Sequence, residues 1–162
     1  MLVLGVDPGL AATGYGLVEN RGDRNCLVEG GVIRSDNNES LEKRVGAIYI
    51  GMQEILSEFK PNVLAMEDLY SHYKHPKTAI IMGHARGAVL VAAHQHEVPV
   101  AHYAATAIKM TLTGNGRARK EQVQHMVFDL LGLTGPMEPF DTSDALAAAL
   151  CHIYQTMKVA CP

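Results

Sequence analysis

The sequence predicts an α/β fold: a five-stranded mixed sheet flanked by helices. Three observations predict it. Residues 2–6 and 62–66 are apolar runs of strand length, and each delivers a carboxylate at its end, Asp7 and Glu67. Three strand-like segments open the chain before strands and helices begin to alternate. Between Leu41 and Phe59, and again after Val123, apolar residues recur at spacings of three and four, as on one face of a helix.

The first run, Leu2-Val3-Leu4-Gly5-Val6, is a buried strand, and Pro8-Gly9 with Gly14 and Gly16 reads as a glycine-punctuated turn before a second strand, residues 15–19. Arg21-Gly22-Asp23 is turn chemistry, and residues 26–34 make a third strand of the same antiparallel meander. Val45, Ile48, Met52, Ile55, Leu56 and Phe59 then form one helical stripe that must end before Pro61. After the strand at 62–66, residues 70–76 read as a polar, aromatic loop and residues 77–97 as a long helix, with a short fifth strand over 99–103. Thr113-Gly114-Asn115-Gly116 is a turn. Val123, Val127, Leu130 and Leu131 repeat as a helix stopped by Gly132, residues 136–139 form a linker, and Phe140 begins a final helix with Leu146, Ala149, Leu150 and Ile153 on one side.

Composition narrows the class. A chain of 162 residues with 48% hydrophobic content fits one domain, residues 1–162, with a real core. No run reaches bilayer-spanning length, and the apolar start has neither a basic flank nor a cleavage site, so a soluble cytoplasmic protein is expected. Cys26, Cys151 and Cys161 have no metal-like spacing and encode neither a disulfide framework nor a zinc knuckle. A net charge of −3 argues against a general polycationic binder of nucleic acid, although bound divalent ions would reverse that sign locally.

Four carboxylates carry the chemistry. Asp7 and Glu67 emerge from strand ends, and ligand sites in such sheets gather beyond the ends of the central strands. Asp141 and Asp144 are three apart at the start of the last helix, neighbours on one face at roughly 5–6 Å between β-carbons. Helix capping by Asp141 and dipole complementation by Asp144 explain the same pair, and the two readings are compatible. A turn aspartate at Asp7 and a solvated strand end at Glu67 are the corresponding plain readings. Taken together, the four point to metal-dependent phosphoryl chemistry. Mg2+ suits hard oxygen ligands and borrows substrate phosphates to complete its shell. A pair of such ions clamps both oxygens of an in-line displacement, with Mn2+ an acceptable substitute.

Basic residues that could follow phosphates are Lys74, Lys77, Arg86, Lys109, Arg117, Arg119 and Lys120, and the densest cluster is Arg117-Ala118-Arg119-Lys120 beside a glycine turn. His94 and His96 diverge on a helix and make poor co-ligands. His84 and Arg86 lie within Gly83-x-x-x-Gly87, whose small residues allow close backbone approach.

The motifs Asp7-Pro8-Gly9-Leu10, Gly14-Tyr15-Gly16, Met66-Glu67-Asp68, Gly83-His84-Ala85-Arg86-Gly87, Arg119-Lys120-Glu121-Gln122-Val123 and Asp141-Thr142-Ser143-Asp144-Ala145-Leu146-Ala147 follow one another in this order. In this order and spacing the chain resembles the RuvC family of Holliday-junction resolvases over nearly its whole length. The resemblance implies a ribonuclease-H-like fold and a homodimer. It also implies Mg2+-dependent nicking of two opposed strands at a four-way DNA junction, in recombination and repair. It assigns Asp7, Glu67, Asp141 and Asp144 as metal ligands and sets Lys109 and Lys120 near the scissile phosphate. Tyr70 matches an aromatic position in the loop after the catalytic Glu, where a ring can stack on an unpaired base. Contacts to RuvA and RuvB follow from the same resemblance. Two other classes are alternatives: a junction-binding module without catalysis, and an actin-like nucleotide phosphotransferase, whose duplicated fold and second phosphate hairpin have no room in 162 residues.

Overall fold

The computed structural model describes residues 1–69, 76–134 and 140–160, and their side chains except at 76–77, 140–141 and 158–160. The elements run β1 (Leu2–Asp7), β2 (Ala12–Asn20), β3 (Asn25–Arg34), α1 (Leu41–Phe59), β4 (Val63–Glu67), α2 (Pro76–Gln95), β5 (Val100–Tyr103), α3 (Ala105–Thr113), α4 (Lys120–Leu131) and α5 (Phe140–Ala160). The sheet order is β3-β2-β1-β4-β5. The first three strands pair antiparallel, while β4 joins β1, and β5 joins β4, in parallel. No helix among the described residues is long and apolar enough to cross a membrane.

Strand alternation sorts the core into two layers. Side chains of a strand point to opposite faces in turn. Val3, Val63 and Ala65 pack with α3, α4 and α5 on one face, whereas Leu4, Val6, Leu64 and Met66 pack with α1 and α2 on the other. Counting on by two, Asp7 and Glu67 belong to the α5 face. Position 102 belongs to the α2 face, one step from Tyr103, which packs with α5.

The seat of α5 is made by glycine. Gly5 pairs with Gly16, and Gly16 with Gly30, giving a row without side chains across three strands. A Cβ on Gly5 would stand 1.8 Å from the Ala145 carbonyl oxygen, one on Gly16 2.4 Å from Leu146 Cδ2, and one on Gly30 2.7 Å from Thr142 Cγ2. The helix backbone therefore rests almost directly on the sheet. Thr142 Oγ1 donates to the Gly31 carbonyl at 3.2 Å and ties the start of α5 to β3.

Two expectations are corrected. Gly14 and Gly16 lie inside β2, which begins at Ala12, and the turn is confined to the residues before it. There Thr13 Oγ1 donates to the Gly9 carbonyl at 2.8 Å, and a Cβ on Gly9 would meet the Ala12 carbonyl oxygen at 2.4 Å. The second correction is α3, a helix absent from the sequence reading, which carries Lys109. Its N-cap is Ala104, without a side-chain hydrogen bond, and its interior is rich in threonine, so neither the cap nor the propensity announces it. Most of the expected loop at 70–76 and all of the expected linker at 136–139 lie outside the described residues, and Pro76 already begins α2.

Candidate active site

Parallel pairing of β1 and β4 aligns Val6 with Met66, so Asp7 and Glu67 leave the sheet side by side on the face that carries α5. The glycine row brings Asp144, one residue before Ala145, to the same end of the sheet. Asp7, Glu67 and Asp144 line one cleft of about 320 Å³, together with Lys109 of α3 and Lys120 of α4. The three expected carboxylates whose side chains are described thus share one cleft. Asp141 is the second residue of α5, inside the helix rather than capping it, and its side chain lies outside the described residues.

Lys120, the first residue of α4, reaches across the cleft and sets Nζ 2.6 Å from Asp144 Oδ2. Part-burial in the cleft, and then the negative charge of Asp144, push the Glu67 carboxyl above the usual carboxylate range, while Lys109 and Arg86 pull it back. These facts bear on whether a metal suits the site. The donors are hard oxygens, Glu67 is disfavoured as an anion by its acidic neighbour, and Asp144 already draws a cation. A divalent ion would relieve both tensions, so the donor chemistry fits Mg2+. Among the described residues no three His, Cys, Asp or Glu side chains gather closely enough to hold an ion unaided.

The remaining predicted residues divide. Arg117 and Arg119 are exposed in the turn before α4 and do not line the cleft. The Arg119 amide donates to Gln122 Oε1 at 2.9 Å, which fixes the helix start beside Lys120. Tyr70 and Lys74 lie outside the described residues, as does the side chain of Lys77.

Arg86, expected among the cations that could follow phosphates, lines the cleft but is turned to protein acceptors. Its side chain is only 11% exposed, and the guanidinium donates to the Glu67 carbonyl at 2.5 Å, to Asp68 Oδ1 at 3.4 Å and to His102 Nδ1 at 2.6 Å. His102 was likewise missed by sequence reasoning. Its one available signal is the alternation along β5, which turns it toward the layer containing α2.

Comparison with known proteins places these features in a group. Residues 3–152 match the family model described as crossover junction endodeoxyribonuclease RuvC. A protein of that name from Rhodopirellula baltica is 45% identical over 152 residues, covering 94% of this chain and 85% of the relative. Another, from Moorella thermoacetica, is 44% identical over 152 residues, covering 94% and 90%. Among solved structures, Thermus thermophilus RuvC in complex with Holliday junction substrate superposes with a TM-score of 0.93 at 38% identity, covering 98% of this chain and 96% of that one.

Proposed function

The chain belongs to the RuvC family of crossover junction endodeoxyribonucleases, and from that premise we propose that it resolves four-way DNA junctions by paired, symmetric, Mg2+-dependent nicks. The single observation that carries the reading is the shared cleft, which Asp7, Glu67 and Asp144 line together with Lys109 and Lys120. The whole of residues 1–162 acts as one ribonuclease-H-like nuclease domain.

Asp7, Asp141 and Asp144 would hold one ion, and Asp7 with Glu67 a second. When bound, the two ions would supply Lewis acidity to the attacking water and to the leaving 3′ oxygen, leaving a 5′ phosphate and a 3′ hydroxyl. The protein's own cations answer a different need. Lys109 and Lys120 stand where negative charge grows on the phosphoryl oxygens, and a preorganised ammonium there stabilises the transition state more than the bound substrate. Arg117 and Arg119, exposed in the turn before α4, suit backbone phosphates, whose contacts position a duplex arm without reading its sequence. Tyr70 and Lys74, which follow Glu67 in the sequence, are assigned to the crossover itself.

Two opposed nicks call for two equivalent sites, and a two-fold homodimer supplies them. The pairing is supported by α2. Ile80 is 63% and Val91 52% exposed on this helix, and added Cβ atoms at Gly83 and Gly87 would meet nothing within 4 Å. The small-residue pair is thus left open among the described residues, and we assign it to the second subunit. RuvA and RuvB are the assigned motor partners, by family.

The deciding experiment compares a mobile four-way junction with a linear duplex, with and without Mg2+. Symmetric nicks in the junction alone, and only with Mg2+, are expected. Tight junction binding without nicking would instead identify a non-catalytic binding module.

A further inference from the structure

We propose that Arg86 is a positioning residue for Glu67, clamping the end of β4 from α2 so that the Glu67 carboxylate is presented to the cleft. The inference rests on the metal-site reading above.

Glu67 is the last residue of β4, and its side chain faces α5 while its own main chain must still be held. The ladder between β4 and β5 closes with the Asp68 amide donating to the Tyr103 carbonyl at 2.8 Å. Arg86 acts on the other side of the same peptide. From α2, it donates to the Glu67 carbonyl, so the peptide plane between residues 67 and 68 is gripped by β5 through its N–H and by Arg86 through its C=O. A peptide plane held at both poles leaves little freedom in the backbone that carries the Glu67 side chain.

The guanidinium is itself anchored. His102 Nδ1 lies 2.6 Å from Nη2. Arginine has only donors, so Nδ1 is the acceptor and the ring carries its proton on Nε2. Asp68 Oδ1, at 3.4 Å, adds a partly exposed counter-charge. Three acceptors from β4, its exit and β5 are thus addressed by one planar fork, a geometry that a single ammonium cannot reproduce. The Arg86 side chain lines the cleft beside Glu67, yet it is only 11% exposed and its guanidinium is turned to these protein acceptors, which separates it from the exposed Arg117 and Arg119.

The test uses the full chain carrying Arg86→Gln or Arg86→Lys. Mg2+ affinity is measured by calorimetry, junction affinity in EDTA across a salt series, and amide exchange at Asp68 by NMR. Expected for Arg86→Gln is a loss of about 10–100-fold in Mg2+ affinity, the range typical of groups that orient metal ligands. Junction affinity without metal should stay within about twofold, with an unchanged salt slope, as for a group that neutralises no phosphate. Asp68 exchange should be faster, and Arg86→Lys should fall between wild type and Gln.

Unchanged Mg2+ affinity overturns the proposal, whether thermal stability or junction binding is what falls. A salt slope reduced by about one would reassign Arg86 as a phosphate contact. Should Arg86→Gln fail to fold, His102→Leu removes one anchor of the fork. A smaller Mg2+ loss with faster Asp68 exchange is expected there, and no change in either overturns the clamp. If wild type shows no saturable Mg2+ binding, the metal reading fails by itself, and the exchange rate at Asp68 still decides the role of Arg86.

Discussion

Lys120 Nζ rests 2.6 Å from Asp144 Oδ2, joining the first turn of α4 to the acidic end of α5 across the mouth of the cleft. The partners are 54% and 37% exposed, so solvent screens the pair and its contribution to stability is at most about 1 kcal/mol. A cation at the start of a helix is also disfavoured by the helix dipole. Neither term gives the fold a reason to place an ammonium there, whereas charge stabilisation during phosphoryl displacement does. For Lys120→Ala we expect a stability change within about 1 kcal/mol by urea unfolding. Single-turnover nicking should fall by about 10²–10³, and junction affinity much less. Equal losses of rate and affinity would make Lys120 a plain phosphate anchor.

Asp7→Asn separates catalysis from binding. The substitution keeps the size of the side chain at the end of β1 and removes one negative charge from a cleft meant for phosphate. Nicking should disappear, while junction affinity in metal-free buffer holds or rises, as read by gel shift on the same substrate. Retained Mg2+-dependent nicking would strike Asp7 from the ligand set.

Gly5→Ala tests the seat of α5. The added methyl would stand 1.8 Å from the Ala145 carbonyl oxygen, a backbone atom that can yield only if the helix moves. Overpacking of this kind typically costs about 1–3 kcal/mol, so the urea midpoint should fall and nicking should fall with it. Gly46→Ala is the control. Position 46 lies inside α1 with open space around its α-carbon, so alanine there should stabilise by about 0.5–1 kcal/mol.

His152 gives the fold a pH dependence remote from the cleft. Its Nδ1 lies 2.7 Å from the Tyr103 hydroxyl, and part-burial holds its pKa below the ordinary 6.5. The folded chain therefore binds this proton less readily than the unfolded chain. Its contribution to stability is complete above the unfolded value and is lost as pH falls through the depressed folded value. Urea unfolding between about pH 7.5 and about pH 5 should show a steeper loss for wild type than for His152→Phe. Parallel curves would exclude the residue as a source of the dependence.

Much of this architecture was legible because burial leaves a one-dimensional trace. The runs before Asp7 and Glu67 are apolar without alternation, as central strands covered on both faces must be, and the stripe from Val45 to Phe59 could only be a helix. What stayed hidden depends on neighbours distant in the chain. Gly16 reads as a turn until α5 is laid on it, because a glycine needed for close approach looks the same as one needed for a bend. Arg86 reads as a surface cation until the ends of β4 and β5 are brought beneath α2. Helix α3 escaped because nine residues with an alanine cap carry too little local signal against tertiary packing of Ile108 and Leu112.

The bare α-carbons of Gly5, Gly16 and Gly30 work as a ruler. Where main chain meets main chain, the gap between helix and strands is set by atomic radii and strand spacing, and rotamer choice cannot lengthen it. Outer helices and connecting segments are then at liberty to diverge across lineages without retuning the reaction centre. A methyl group gained along that bare row has no such licence.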